Sequence, residues 1–276
     1  MQVTLPAIAF GGSARACPIP AAPDPWATWF RAVALGGAGR YAAAAGELGR
    51  LDVAGADDVL RSFALSTRAA HRRQAGRHHH AVADDAQALL LAAGRRRADP
   101  TPVVEERRTA ALCDALTGLA ADNLGRGMFG ASGRLLDRVD QILDAQGRES
   151  DRNWIWGGRT ELRSHWVRAE LAMFTGDAAE AGRHARAAEA MSAACPSIRH
   201  VIKTDLIAAA AAATAGDVRQ AGARASRVTD QAIEFGQLPL EWAAAKLLDG
   251  IGAGEQWSGR AQQLGAQLKL QGAAMD

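Results

Sequence analysis

The chain has 276 residues, 48% of them hydrophobic and 22% charged, a balance that permits a packed core and excludes global disorder. Its formal net charge is +2, with arginine supplying nearly all of the positive charge (the only lysines are Lys203, Lys246 and Lys269), and no basic recognition helix stands out, so nucleic acid is not a partner. No apolar run reaches the ~18 residues of a membrane span, and three widely spaced cysteines, Cys17, Cys113 and Cys195, form no CxxC pairing. That cysteine usage argues against a disulfide framework or a zinc site and points to a reducing, cytoplasmic location.

Residues 1–25 hold five of the nine prolines, Pro6, Pro18, Pro20, Pro23 and Pro25. They read as a flexible leader that packs in part on the first helical hairpin. Met1 to Ala16 has neither a basic start nor a long apolar centre, so it does not read as a signal peptide. From Trp26 to Leu270 the pattern is helical, and sparse valine and isoleucine without alternation argue against strands.

Within that span one small pattern recurs five times. Turn glycines fall at Gly39, Gly76, Gly127, Gly176 and Gly216. Seven residues before each lies Ala32, Ala69, Ala120, Ala169 or Ala209, and five after it Ala44, Ala81, Ser132, Ala181 or Ala221. Each unit reads as helix A, a turn, then helix B. An alanine stabilises by only ~0.8 kcal/mol per buried methyl, so such a core works only where helices approach closely. Between the second and third units, Ala98 to Pro102 reads as a loop and a helix start, with Thr101 as cap and Pro102 in the first turn. The Arg95-Arg96-Arg97 run before it reads as a solvated helix end. Between the third and fourth units, Gln146 to Asn153 is a polar linker ending at Trp154. Beyond Gly236 the glycines fall irregularly, which suits a degenerate pair or cap. The predicted organisation is a leader over 1–25, five hairpins over 26–235 and a cap over 236–276.

The unit resembles the tetratricopeptide repeat (TPR), most clearly in LGGAGRYAAAAGELGRL (Leu35–Leu51) and RAELAMFTGDAAEAGRHARAAEAM (Arg168–Met191). The small helix-A residue is matched in all five units, and the aromatic after the turn is present as Tyr41 and Phe129. The closing proline is largely missing, and the 34-residue period of that family is exceeded in every interval. The chain is also similar to proteins of high-GC bacteria with the same alanine-rich hairpins, a likeness that supplies no activity. The resemblance implies an all-α fold, a right-handed α-solenoid of antiparallel helical hairpins, that holds a peptide or partner protein in a concave groove.

Motifs that would carry chemistry have plainer readings. Gly125-Arg126-Gly127-Met128-Phe129-Gly130 fits GxGxxG, yet it sits at a repeat turn, whereas a dinucleotide site needs a strand before it. His78-His79-His80, with His71 nearby and His80 and Asp84 spaced i, i+4, invites a metal, but consecutive histidines point apart on a helix. His78 also takes the packing slot of Tyr41 and Phe129. No nucleophile elbow is present, since Gly130 to Gly133 stops one residue short. No catalytic residue, cofactor site or metal site is assigned.

The strongest candidate is the inner face of the A helices: Trp26, Trp29, Phe63, Asp114, Arg159, Arg163, Trp166, Glu170 and Lys203. Arg159, Arg163, Trp166 and Glu170 form one stripe at i, i+4, i+7 and i+11, with Lys203 on the next A helix. Tryptophan and arginine are the residues that anchor partners, and a guanidinium fork matches a carboxylate. Trp154-Ile155-Trp156 reads as docking the linker onto the stack. The expected function is a non-enzymatic scaffold for a peptide or protein. The alternatives are a sensor module that binds a small ligand or signalling peptide and acts through a transcription factor, and a metal-dependent enzyme using the His71–Asp85 region.

Overall fold

A computed structural model of the chain describes residues 3–15, 18–53, 55–94, 101–145 and 153–274. The Arg95-Arg96-Arg97 run, the loop through Pro100, residues 146–152 of the linker and Cys17 lie outside the described residues. Thirteen helices and no strand are found among those described. After the short α1 (Leu5–Phe10) they pair as α2 (Pro25–Gly37) with α3 (Tyr41–Val53), α4 (Asp58–Gln74) with α5 (His78–Ala93), and α6 (Pro102–Gly125) with α7 (Phe129–Ala145). Then come α8 (Gly158–Phe174) with α9 (Ala178–Ser192), α10 (Ile198–Thr214) with α11 (Val218–Glu234), and α12 (Leu238–Gly250) with α13 (Gln256–Leu270). Neighbouring helices pack in sequence order.

The turns and crossings arise from the small residues. The five turn glycines adopt φ of 74–83°, the left-handed region that ends a helix without a β-carbon clash. All ten flanking residues, from Ala32 and Ala44 to Ala209 and Ala221, are 0% exposed. Asp24, Asp57, Asp177 and Asp217 cap α2, α4, α9 and α11, each side chain accepting a backbone N–H of the first turn. Thr101 holds the N-cap position of α6 without a side-chain bond, and Pro102 occupies the first turn.

Two features depart from a plain row of hairpins. Within the leader expected over 1–25, residues 5–10 form α1, which packs on α2 of the first hairpin and buries Leu5, Ile8, Ala9 and Phe10. Pro6 falls in the first turn, where its missing N–H costs nothing, and the apolar residues beyond it then cover the start of the stack. Phe10 packs on Trp29 and Phe30, with ring centroids 5.5 and 6.0 Å away, and Ile198 donates its backbone N–H to the Gly11 carbonyl at 3.3 Å. The second feature is closure. Tyr41 of the first hairpin forms one apolar cluster with Leu268, Ala273, Leu238 and Trp242 of the last. The Ala42 N–H donates to the Gln271 carbonyl at 2.9 Å. The row of helices therefore meets its own beginning, and its inner face surrounds a cavity.

Candidate functional site

The A helices α2, α4, α6, α8 and α10, joined by α12, line a cavity of about 440 Å³. Of the residues expected on the inner face, Trp29, Asp114, Arg159, Arg163, Trp166, Glu170 and Lys203 line it. Trp26 and Phe63 do not. They pack with Trp156 in an aromatic cluster that also holds Trp29 and Phe30, with centroids 5.6 Å (Trp26) and 5.3 Å (Phe63) from the Trp156 ring. Arg107 lies over the Trp26 ring at 4.4 Å. The linker end thus docks through Trp156, as its composition suggests.

The apolar part of the wall comes from Phe10, Val33, Trp166, Leu206, Leu240 and Trp242. Two of the three wall indoles are fixed by their N–H groups: Trp29 donates to Thr67 Oγ1 at 2.9 Å and Trp166 to Thr204 Oγ1 at 3.0 Å. Trp166 also stacks on His200, centroid to centroid 5.4 Å.

The charged part of the wall is mostly self-paired. Asp114 of α6 takes both guanidinium nitrogens of Arg159, at 3.0 and 2.5 Å, and a further bond from Arg163. Burial alone would raise the Asp114 carboxyl, but the two arginines outweigh it and hold it below its ordinary range. The carboxylate that the Arg159–Arg163 stripe is suited to bind is therefore supplied from within. Lys203 pairs with Glu170 at 3.3 Å. Arg73 of α4 reaches Asp85 at 2.8 Å and Asp122 at 2.6 Å, both behind the cavity wall. Burial raises Asp85 to about 7 against the opposing pull of Arg73, and Asp85 is 0% exposed, sealed by Arg73 and Gly118.

Arg199 differs. It is half-buried at the start of α10, lines the cavity, and makes no ion pair or hydrogen bond among the described residues. Burial, with repulsion from Arg159 and Arg163, lowers its guanidinium to about 10. Its neighbours among the described residues carry no negative charge. Burial keeps the Tyr41 phenol protonated, well above its usual value, and that hydroxyl donates to Gln74 at 2.6 Å. Burial, then Arg199 itself, pushes His71 down to about 3 and His200 well below its ordinary value, so both rings are neutral. Gly36 and Gly37 make room here. A β-carbon on Gly36 would lie 2.0 Å from His71 Nε2, and one on Gly37 3.2 Å from Arg199 Cδ.

Arg199 is not among the residues expected on the inner face, although a signal for it exists in the sequence. It stands ten residues before Ala209, the same offset at which Arg159 precedes Ala169. The stripe of the fourth unit simply recurs in the fifth.

The remaining motifs disperse. Gly125 to Gly130 joins two helices, with His78 filling the space beside Gly125. Asp84 is bound by Arg68 and Arg72, and no group of three or more His, Cys, Asp or Glu arranged to hold a metal occurs among the described residues. Ser132 is a crossing residue, 0% exposed. No helix among the described residues is long and apolar enough to cross a membrane. Comparison with family models, curated proteins and solved structures returns no match.

Proposed function

We propose that this is a non-enzymatic binding module that holds a small ligand inside a closed row of helical hairpins. The observation that carries this reading is the closure through Tyr41, Leu268 and Gln271. It turns what would be an open groove into a cavity of about 440 Å³, the size of small-molecule sites. A lining of aromatic side chains with a few placed charges is the usual composition of such sites. Its charged groups are nearly all tied in ion pairs, and Asp85, the carboxyl raised to about 7, is sealed away from the cavity; an arrangement of this kind favours recognition over proton transfer. In the finer reading, the hairpins are TPR-like units in a right-handed superhelix, working in the cytoplasm as a sensor whose partner responds to the occupied state.

The test is to recover the protein from its native cell under non-denaturing conditions and weigh it by native mass spectrometry. The expected result is a small bound mass on the wild type that is lost in Ala70→Trp, which fills the cavity. An unchanged bound species in the filled variant would remove the cavity as the site. A peptide is the second reading, favoured by an apolar lip. Phe174 is 65% exposed at the cavity wall, beside Phe129 at 6.3 Å, and the adjacent Met128 is 47% exposed. A chain leaving the cavity would cover that lip, and a bound mass of peptide size would choose this reading.

A further inference from the structure

We infer that the ligand of the inner cavity carries a carboxylate seated on Arg199, with its apolar body against Trp166, Leu206 and Trp242. This rests on the cavity being the binding site, and it adds the chemical class of the occupant.

The charge balance of the wall leads there. Five cations line the cavity: Arg73, Arg159, Arg163, Arg199 and Lys203. The acids facing them are each engaged, Asp114 by Arg159 and Arg163, Glu170 by Lys203, and Asp85 and Asp122 by Arg73. Of these five, Arg199 alone has no acid among the described residues. Nor do the rings and the amide around it supply one. Tyr41 is protonated, His71 and His200 are neutral, and Gln237, which abuts the same face of Gly37, offers only an amide. A half-buried guanidinium without a counter-ion costs stability, and the chain goes further by leaving Gly37 without a β-carbon where Arg199 passes.

The anion that completes the set is a carboxylate. The planar fork of a guanidinium offers two parallel N–H donors at the spacing of two carboxylate oxygens. The apolar side chains that flank the guanidinium, Trp166, Leu206 and Trp242, suit the carboxylate of an otherwise apolar acid better than a strongly hydrated phosphate dianion. Lys203 lies one turn beyond Arg199 on α10 and Leu206 comes next on the same side, so a ligand anchored at Arg199 extends from cation to apolar wall along one helix face.

The test uses the full chain and defined probes: benzoate, phenylacetate and indole-3-acetate, each beside its primary amide, titrated by isothermal calorimetry. The wild type is expected to bind at least one acid about tenfold more tightly than its amide, the contribution of a charged hydrogen-bonded pair. Arg199→Met should abolish the preference and Arg199→Lys should keep part of it. In the absence of any probe, Arg199→Met should melt at the same temperature as the wild type or higher, because it removes an unpaired charge. A residue with a merely structural role would lower the melting temperature instead. Gly-Gly-Phe with free and amidated ends tells a peptide terminus from a free acid, and acid preference in either supports the inference. Equal binding of acids and amides, acid preference surviving in Arg199→Met, or no acid bound at all overturns it. If acids and amides bind equally and Ala70→Trp abolishes both, the carboxylate anchor fails while the cavity stands.

Discussion

A methyl group added at Gly118 of α6 would lie 2.2 Å from the Asp85 carboxylate, while one added at Gly259 of α13 would meet nothing within 4 Å. Gly118→Ala is therefore expected to force the Arg73–Asp85–Asp122 cluster apart and cost ~1–3 kcal/mol. Gly259→Ala should add up to ~1 kcal/mol through helix propensity alone. Urea denaturation of the two variants measures both, and equal effects would show that the Gly118 approach is not tight. Asp114 sits at the other extreme of side-chain demand. Asp114→Ala leaves Arg159, itself 3% exposed, and Arg163 without their shared carboxylate. A loss of ~3–5 kcal/mol is expected, the cost of stranding a buried charge. At this scale the sequence is informative where geometry needs only size. The bracketing alanines and Ser132 are legible because a helix crossing admits nothing larger. The pairing of Arg159 and Arg163 with Asp114 is not, because which acid meets which base depends on how one A helix sits beside the next. From sequence alone the same three residues read as a surface for an external partner.

Along the helices, buried histidines set the direction of the pH dependence of stability. His71 on α4, His184 on α9 and His200 on α10 are all pushed below their ordinary value, first by burial and then by neighbouring arginines, His71 to about 3 and His184 to about 4. An unfolded histidine takes a proton near pH 6.5. Between that pH and about 4 the unfolded chain binds protons that the folded one refuses, so stability falls as pH falls. Asp85 works the other way. Its folded value of about 7 lies above the unfolded one, so it gains stability as pH drops from 7 toward 4. His165 on α8 is lowered by burial as well, so four histidines oppose one carboxyl, and the melting temperature should decline steadily from pH 7.5 to 4.5. His71→Gln should flatten that decline, and a profile unchanged by the substitution would place the sensitivity elsewhere. The hairpin turns are well marked in the sequence, since a glycine that ends a helix in the left-handed region is local chemistry. The helix at Leu5–Phe10 is not, because the prolines around it mask a six-residue stretch whose stability comes from Trp29, Phe30 and His200, far away in the chain.

Across the whole molecule, the meeting of first and last hairpins is the feature no local pattern announces. Each hairpin adds a small rotation, and whether the sum returns to the start depends on every packing angle together. The junction is small but specific. Leu268 is 0% exposed, and a β-carbon on Gly39 would lie 2.8 Å from it. Leu268→Ala is expected to cost ~2–4 kcal/mol and to speed hydrogen exchange at the Ala42 amide, which bonds to Gln271. Exchange at the Ala181 amide, on the far side of the row in α9, should change much less. Uniform acceleration at both would mean that the contact stabilises the fold as a whole and is not a separable seam.

An open array of hairpins tolerates gaining or losing one, since each unit leans only on its neighbours. A circle does not. Duplicating a single hairpin here would push Tyr41 away from Leu268 and leave two apolar ends facing water. The number of units is thereby locked, and change in this protein must come by exchanging side chains on the inner wall.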